Sequence, residues 1–355
     1  MSVDFQKTEI AEFYQQMGIE VGRRCNARCE HCISFSGPKN HAQMEFGLMK
    51  RVIEQSAESG LQHLELTGGE PFLFRDQLEQ ILQMAYESGM SIGITTNSFW
   101  AKTIPAAEAL LEKLKRLGLA RLRFSIDRYH LNYIPFECVK NAVQAALKTD
   151  IKCIVEATVG RKDYQMYGAI KELKQFPMEL RVSALLPYGK AADLPPETFM
   201  SHSFFSVANT PCLTAGTPVV QLDGRVLLCC VVPVAQDPND MESPFVLGNA
   251  KQESIVTILT RHFRNPLLRV LRYQGPGGLM RALQKKYGAE QYTARDSYPG
   301  GICTLCGDMM NNQKLREMWH LAVADNDPNS PAVPFQVLAE QPQQQLVTIA
   351  PFKAS

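Results

Sequence analysis

The run Cys25-Asn26-Ala27-Arg28-Cys29-Glu30-His31-Cys32 places three thiols on one short loop. Soft thiolates suit iron–sulfur centres, so three of them can hold three irons of a cubane cluster and leave the fourth iron open to an outside ligand. Thiolate-rich zinc modules use similar short spacings and are the alternative, against which the absence of a fourth local cysteine counts. A second motif, Gly68-Gly69-Glu70-Pro71, lies further along the chain. Its glycines permit close backbone approach, and its glutamate offers an acceptor for a bound ammonium group. An ordinary strand-to-helix turn would have the same composition. Thr95-Thr96-Asn97 and Ser125-Ile126-Asp127 put polar side chains at two more strand ends, where helix capping is the plain alternative.

The elements that must position these residues follow a regular rhythm. Strand-like runs at 19–21, 61–66, 91–95, 121–126, 151–159 and 180–186 alternate with helical patterns at 47–59, 74–87, 106–117, 136–147 and 167–174. Six strands with crossover helices argue an α/β fold with a parallel sheet. Each motif above then falls just after a strand, at the C-terminal edge of the sheet, where open α/β sheets bind ligands. Asp193-Leu194-Pro195-Pro196 breaks the rhythm and marks a boundary. Beyond it, 218–222 and 225–228 around Asp223-Gly224 read as a hairpin, followed by helical stretches at 253–264 and 266–272. The chain divides into 1–192, 193–320 and a loosely held tail at 321–355.

Composition narrows the function classes. The 355 residues are 45% hydrophobic and 21% charged, enough for one large core and a smaller one. A net charge of +1 gives no footprint for nucleic acid or an anionic membrane, and no apolar stretch reaches the length of a membrane span. The opening Met1-Ser2-Val3-Asp4-Phe5-Gln6 is not a secretory signal, so the ten cysteines point to cytoplasmic metal or redox chemistry rather than disulfides. Cys138 and Cys153 fall at core positions of a helix and a strand.

The cysteine run, with an aromatic ring (His31) just before its third member, resembles the signature of the radical S-adenosylmethionine (SAM) superfamily, and Gly68–Pro71 follows in the order that superfamily uses. The resemblance implies a partial (β/α)6 TIM-like barrel. It also implies a 4Fe–4S cluster on Cys25, Cys29 and Cys32 whose open iron binds SAM, and reductive cleavage of SAM to a 5′-deoxyadenosyl radical that abstracts hydrogen. His31, Gly68, Gly69, Glu70, Pro71, Thr96, Asn97, Ser125 and Asp127 would contact SAM. Leu185–Ala191 would run near the adenine, and His130 and Glu156 could face substrate. A reducing partner such as flavodoxin or ferredoxin is implied.

The later order Cys212…Gly224-x4-Cys229…Cys303-x2-Cys306 resembles the auxiliary-cluster extension of SPASM and twitch enzymes. No cysteine follows Cys306, which favours the short α+β twitch form with one further 4Fe–4S cluster on Cys212, Cys229, Cys303 and Cys306; a structural zinc is the alternative. Neighbouring side chains on a strand face opposite ways, so Cys229 as ligand leaves Cys230 as a free thiol. Cys230 is then either a hydrogen-atom donor, as in some twitch-type epimerases, or a small buried hydrophobe. The first role implies epimerisation of a small molecule or short peptide in specialised biosynthesis. Alcohol dehydrogenation or peptide cross-linking, with the auxiliary cluster accepting an electron, is the alternative, and a non-enzymatic zinc-binding adaptor is a remote third. Leader-binding domains of peptide-modifying relatives precede the cysteine loop, and Cys25 leaves no room for one. That favours a small molecule such as a sugar or aminocyclitol.

Overall fold

The computed structural model describes residues 3–14, 16–163, 166–229, 242–287 and 294–324. Six strands, β1 (Met17–Glu20), β2 (His63–Thr67), β3 (Ser91–Thr96), β4 (Leu119–Ile126), β5 (Lys152–Val159) and β6 (Glu179–Ala184), pair in parallel and in chain order. Helices Phe46–Glu58, Arg75–Glu87, Ile104–Arg116, Phe136–Lys148 and Met166–Leu173 make the crossovers. This is the parallel sheet expected from the sequence rhythm and the partial barrel that the resemblance implies.

The two faces of the sheet differ sharply. Leu64, Leu66, Ile92, Ile94, Leu122, Phe124, Ile126, Val155 and Ala157 alternate along β2 to β5 and are all fully buried in the core. The alternation leaves the other face polar, because successive side chains on a strand point opposite ways. There Glu65 takes Arg121 at 2.8 Å and the Thr95 hydroxyl at 2.9 Å. Glu156 takes Arg123 at 2.7 Å and the Ser183 hydroxyl at 3.0 Å. Cys138 and Cys153 are buried, at 7% and 5% exposure, as expected of core residues.

The C-terminal region continues the same sheet. After β7 (Ser201–Ser203), the hairpin β8 (Val219–Val220) and β9 (Arg225–Leu227) turns at Asp223-Gly224, and β10 (Val246–Asn249) extends it. β8 runs parallel to β1, so nine strands form one sheet in the order β10-β9-β8-β1-β2-β3-β4-β5-β6. β11 (Ser297–Pro299) pairs with β7, which returns helix Ile302–Met310 to the end of β6. The helix expected at 266–272 extends over Pro266–Tyr287, broken at Gly275 before Pro276. Helix Gln313–Ala324 carries regular structure past the tail boundary placed at 320, and the rest of that tail lies outside the described residues. An N-terminal helix, Val3–Phe13, was not anticipated. Among the described residues no helix is long and apolar enough to cross a membrane.

Candidate functional site

The ends of β1 to β4 open on one cavity of about 660 Å³, its mouth included, lined by all three cysteines of the loop. Loop geometry aims donors at sulfur: Ala27 N–H lies 3.4 Å from Cys25 Sγ, Ser36 N–H 3.4 Å from Cys32 Sγ, and the Asn97 amide 3.8 Å from Cys25 Sγ. Burial pushes the Cys25 thiol up to about 12, so ionising it requires a cation beside it. Among the described residues, no three cysteine sulfurs lie within 4.8 Å of one another. His31 Nδ1 and Ser36 Oγ are buried without a partner, and both residues line the cavity. A polar ligand would satisfy them. The donor set therefore fits the cluster and SAM.

The glycine pair makes the close backbone approach that its composition permits. Both glycines line the cavity, but the close approach is to the chain itself. Gly69 N–H donates to Gly22 O at 2.6 Å and Glu70 N–H to Arg24 O at 2.9 Å, and a Cβ on Gly69 would collide with the Arg24 carbonyl oxygen. The motif thus clamps the segment that leads into Cys25. Glu70, expected as the acceptor for an ammonium group, is fully buried and does not line the cavity. Its Oε1 accepts from Thr96 Oγ1 at 2.8 Å and Phe72 N at 3.1 Å, and its Oε2 from Asn97 N at 2.7 Å. Burial raises its pKa to about 7 against these donors. Pro71 is buried at the start of the short turn that Glu70 caps.

Thr96 lines the cavity while also accepting from Trp100 Nε1 at 3.0 Å. Asn97 lines it too, and bonds Asn26 Oδ1 at 3.0 Å, tying the end of β3 to the cysteine loop. Ser125 faces the cavity from β4. Asp127 does not line it. Its Oδ1 caps the turn Arg128–Leu131, and its Oδ2 meets His130 Nδ1 at 2.7 Å and His31 Nε2 at 3.1 Å. Burial alone would raise the Asp127 pKa, but the two imidazoles hold it well below the usual range. His31 also stacks on Tyr129, with centroids 4.6 Å apart. Of the residues singled out from the sequence, His31, Gly68, Gly69, Thr96, Asn97 and Ser125 line the cavity, while Glu70, Pro71 and Asp127 do not. Of the polar strand face only Glu156 was singled out, although Glu65, Arg121 and Arg123 at alternate strand positions signal the rest.

In the second cysteine set, Cys212, Cys303 and Cys306 are neighbours. Cys212 starts the turn Leu213–Gly216, Cys229 follows β9, and Cys303 and Cys306 sit one turn apart on helix Ile302–Met310. Burial pushes the Cys306 thiol far up, and the neighbouring Cys212 and Cys303 add to it. Cys212 and Cys229 are each 8% exposed. Cys25, Cys29, Cys32, Cys138, Cys153, Cys212 and Cys306 are free thiols. Cys230 lies outside the described residues.

Comparison with known proteins agrees with both centres. Residues 19–166 match the radical SAM superfamily and residues 212–282, beginning at Cys212, match the SPASM iron-sulfur cluster-binding domain. The chain is 23% identical over 306 residues to the putative peptide biosynthesis protein YydG of Bacillus subtilis, a match covering 84% of this chain and 93% of that one. It is 29% identical over 187 residues to the GTP 3′,8-cyclase of Syntrophomonas wolfei, which spans 49% of this chain and only 56% of the cyclase. Among solved structures, native anSMEcpe with bound AdoMet shares the fold at a TM-score of 0.50 and 14% identity, over 86% of this chain and 99% of that one. Residues 19–166 are thus a radical SAM domain, a partial barrel using SAM and a 4Fe–4S cluster, and a SPASM-type domain from residue 212 extends it for a second cluster.

Proposed function

We propose that this chain is a cytoplasmic enzyme that opens a C–H bond of a short peptide and returns the carbon inverted, with Cys230 as the hydrogen-atom donor. One observation carries the choice of a peptide: the match to a putative peptide biosynthesis protein runs through both domains and nearly the whole of that relative. This outweighs the argument from the position of Cys25, which pointed to a sugar or aminocyclitol. When bound, SAM and its cluster supply the radical that removes the substrate hydrogen. Cys25, Cys29 and Cys32 would hold that cluster, and Cys212, Cys229, Cys303 and Cys306 the auxiliary one.

The protein's own part is positional. His31, Asn97 and Ser125 present polar groups to the bound cofactor from three elements. Arg123 and Glu156, on the polar face, offer the substrate a charged wall. Cys230 would give its sulfur-bound hydrogen to the carbon radical from the side opposite to abstraction. Its sulfur then needs one electron and one proton, supplied through a one-electron donor such as flavodoxin or ferredoxin, before the next turnover. If no such thiol acts, loss of an electron from the substrate radical to the auxiliary cluster gives dehydrogenation or a cross-link.

Turnover in heavy water separates these outcomes, because thiol protons exchange with solvent. Epimerisation through Cys230 places one deuterium on the product carbon. Cys230→Ala should still form 5′-deoxyadenosine and still consume the substrate hydrogen, without inverted product. A product two hydrogens lighter, with no solvent deuterium at the reacting carbon, would replace epimerisation with oxidation.

A further inference from the structure

The stretch after β6 touches both cysteine sets. On one side, Lys190 N–H donates to Cys32 O at 3.0 Å and Lys190 Nζ to Ser36 O at 2.6 Å. Gly189 lies between them at φ +61°, where a Cβ would sit 2.5 Å from Ile33 Cα, so only glycine lets the two backbones meet. On the other side, the Tyr188 hydroxyl donates to Cys303 O at 2.9 Å. Gly300, just before the Cys303 helix, packs against the same stretch, with room for a Cβ only 2.9 Å from Pro187 Cδ. Three consecutive residues thus span from a ligand residue of one centre to a ligand residue of the other.

We propose that Tyr188, Gly189 and Lys190 form a strap through which a filled auxiliary site holds the SAM-cluster loop in its binding shape; this rests on the assignment of Cys212, Cys229, Cys303 and Cys306 to an auxiliary cluster. A cluster bound through Cys303 and Cys306 fixes the first turn of their helix, and with it the carbonyl that Tyr188 grips. Tyr188 then anchors Lys190, whose two bonds fix the carbonyls of Cys32 and Ser36. With the auxiliary site empty, that end is free, and the Cys32–Ser36 loop must be ordered when SAM binds, which weakens binding. Coupling of this kind is reciprocal, so bound SAM should in turn slow loss of iron from the auxiliary site. Tyr188 and Lys190 are positioning residues in this scheme.

The test uses the full chain with both clusters reconstituted, reading SAM affinity, hydrogen exchange of the 32–36 amides and the rate of iron loss to a chelator. Tyr188→Phe keeps the ring and removes one neutral hydrogen bond. It should retain full iron, weaken SAM binding about twofold to tenfold and speed exchange at 32–36. Cys303→Ala/Cys306→Ala should do the same at half the iron, and adding Tyr188→Phe to it should bring little further loss, since both act through one chain of contacts. Lys190→Met, which removes the Nζ bond to Ser36 O and keeps the backbone bond to Cys32 O, should shift SAM affinity and 32–36 exchange in the same direction as Tyr188→Phe. SAM should slow chelation of auxiliary iron in the wild type and not in Tyr188→Phe. Full iron with unchanged affinity and exchange in Tyr188→Phe overturns the strap and leaves the auxiliary assignment standing. A wild type holding only the SAM-site irons overturns that assignment, and the strap with it.

Discussion

Glu70 is pulled two ways. Three donors, from Thr96, Asn97 and Phe72, favour its carboxylate, while complete burial favours the neutral acid and wins, raising its pKa from 4.5 to about 7. A folded-state pKa above the unfolded one contributes stability that is full below about 4.5 and lost as the pH rises through about 7, a fall of about 3 kcal/mol. Glu70→Gln has no such ionisation. Its unfolding midpoint should therefore decline less across this window than that of the wild type, and equal declines would show that Glu70 does not titrate there. Asp127 has the opposite sense: its depressed pKa gives stability that is present above 3.8 and lost in acid. The sequence marked both carboxylates as site residues, but which way each faces was not legible. That depends on donors from other strands, which only the fold brings together.

At the scale of elements, the sequence rhythm located all six barrel strands, because each apolar run is bounded by a turn and followed by a helical period. Two features escaped it. The hairpin β8–β9 read as part of a separate small domain, yet its first strand pairs with β1, a non-local choice that no local pattern records. The glycines read as permitting close backbone approach, but their sequence does not tell that the approach serves the joint between the end of β2 and the cysteine loop. That joint is testable. Gly69→Ala forces a methyl group against the Arg24 carbonyl and should push the loop off β2, so the variant should lose the SAM-site cluster, about four irons, while keeping the auxiliary one. Full iron in Gly69→Ala would mean the loop is held elsewhere.

For the whole molecule, one continuous sheet carries both centres. The first cysteine loop follows β1, and β8, paired with β1, leads through β9 to Cys229. The cysteine loop and Cys229 thus hang on neighbouring strands of one sheet. The resemblance in cysteine order made both sites legible before the fold was known. Their shared sheet and the strap at Tyr188–Lys190 were not, because both depend on pairings between distant segments. Iron analysis of the reconstituted chain, joined to assay of 5′-deoxyadenosine, tests the two-cluster account most directly. The wild type should hold about eight irons, and Cys25→Ala/Cys29→Ala/Cys32→Ala about four, with no 5′-deoxyadenosine formed. Four irons or fewer in the wild type, or SAM cleavage that survives loss of the three cysteines, would contradict it.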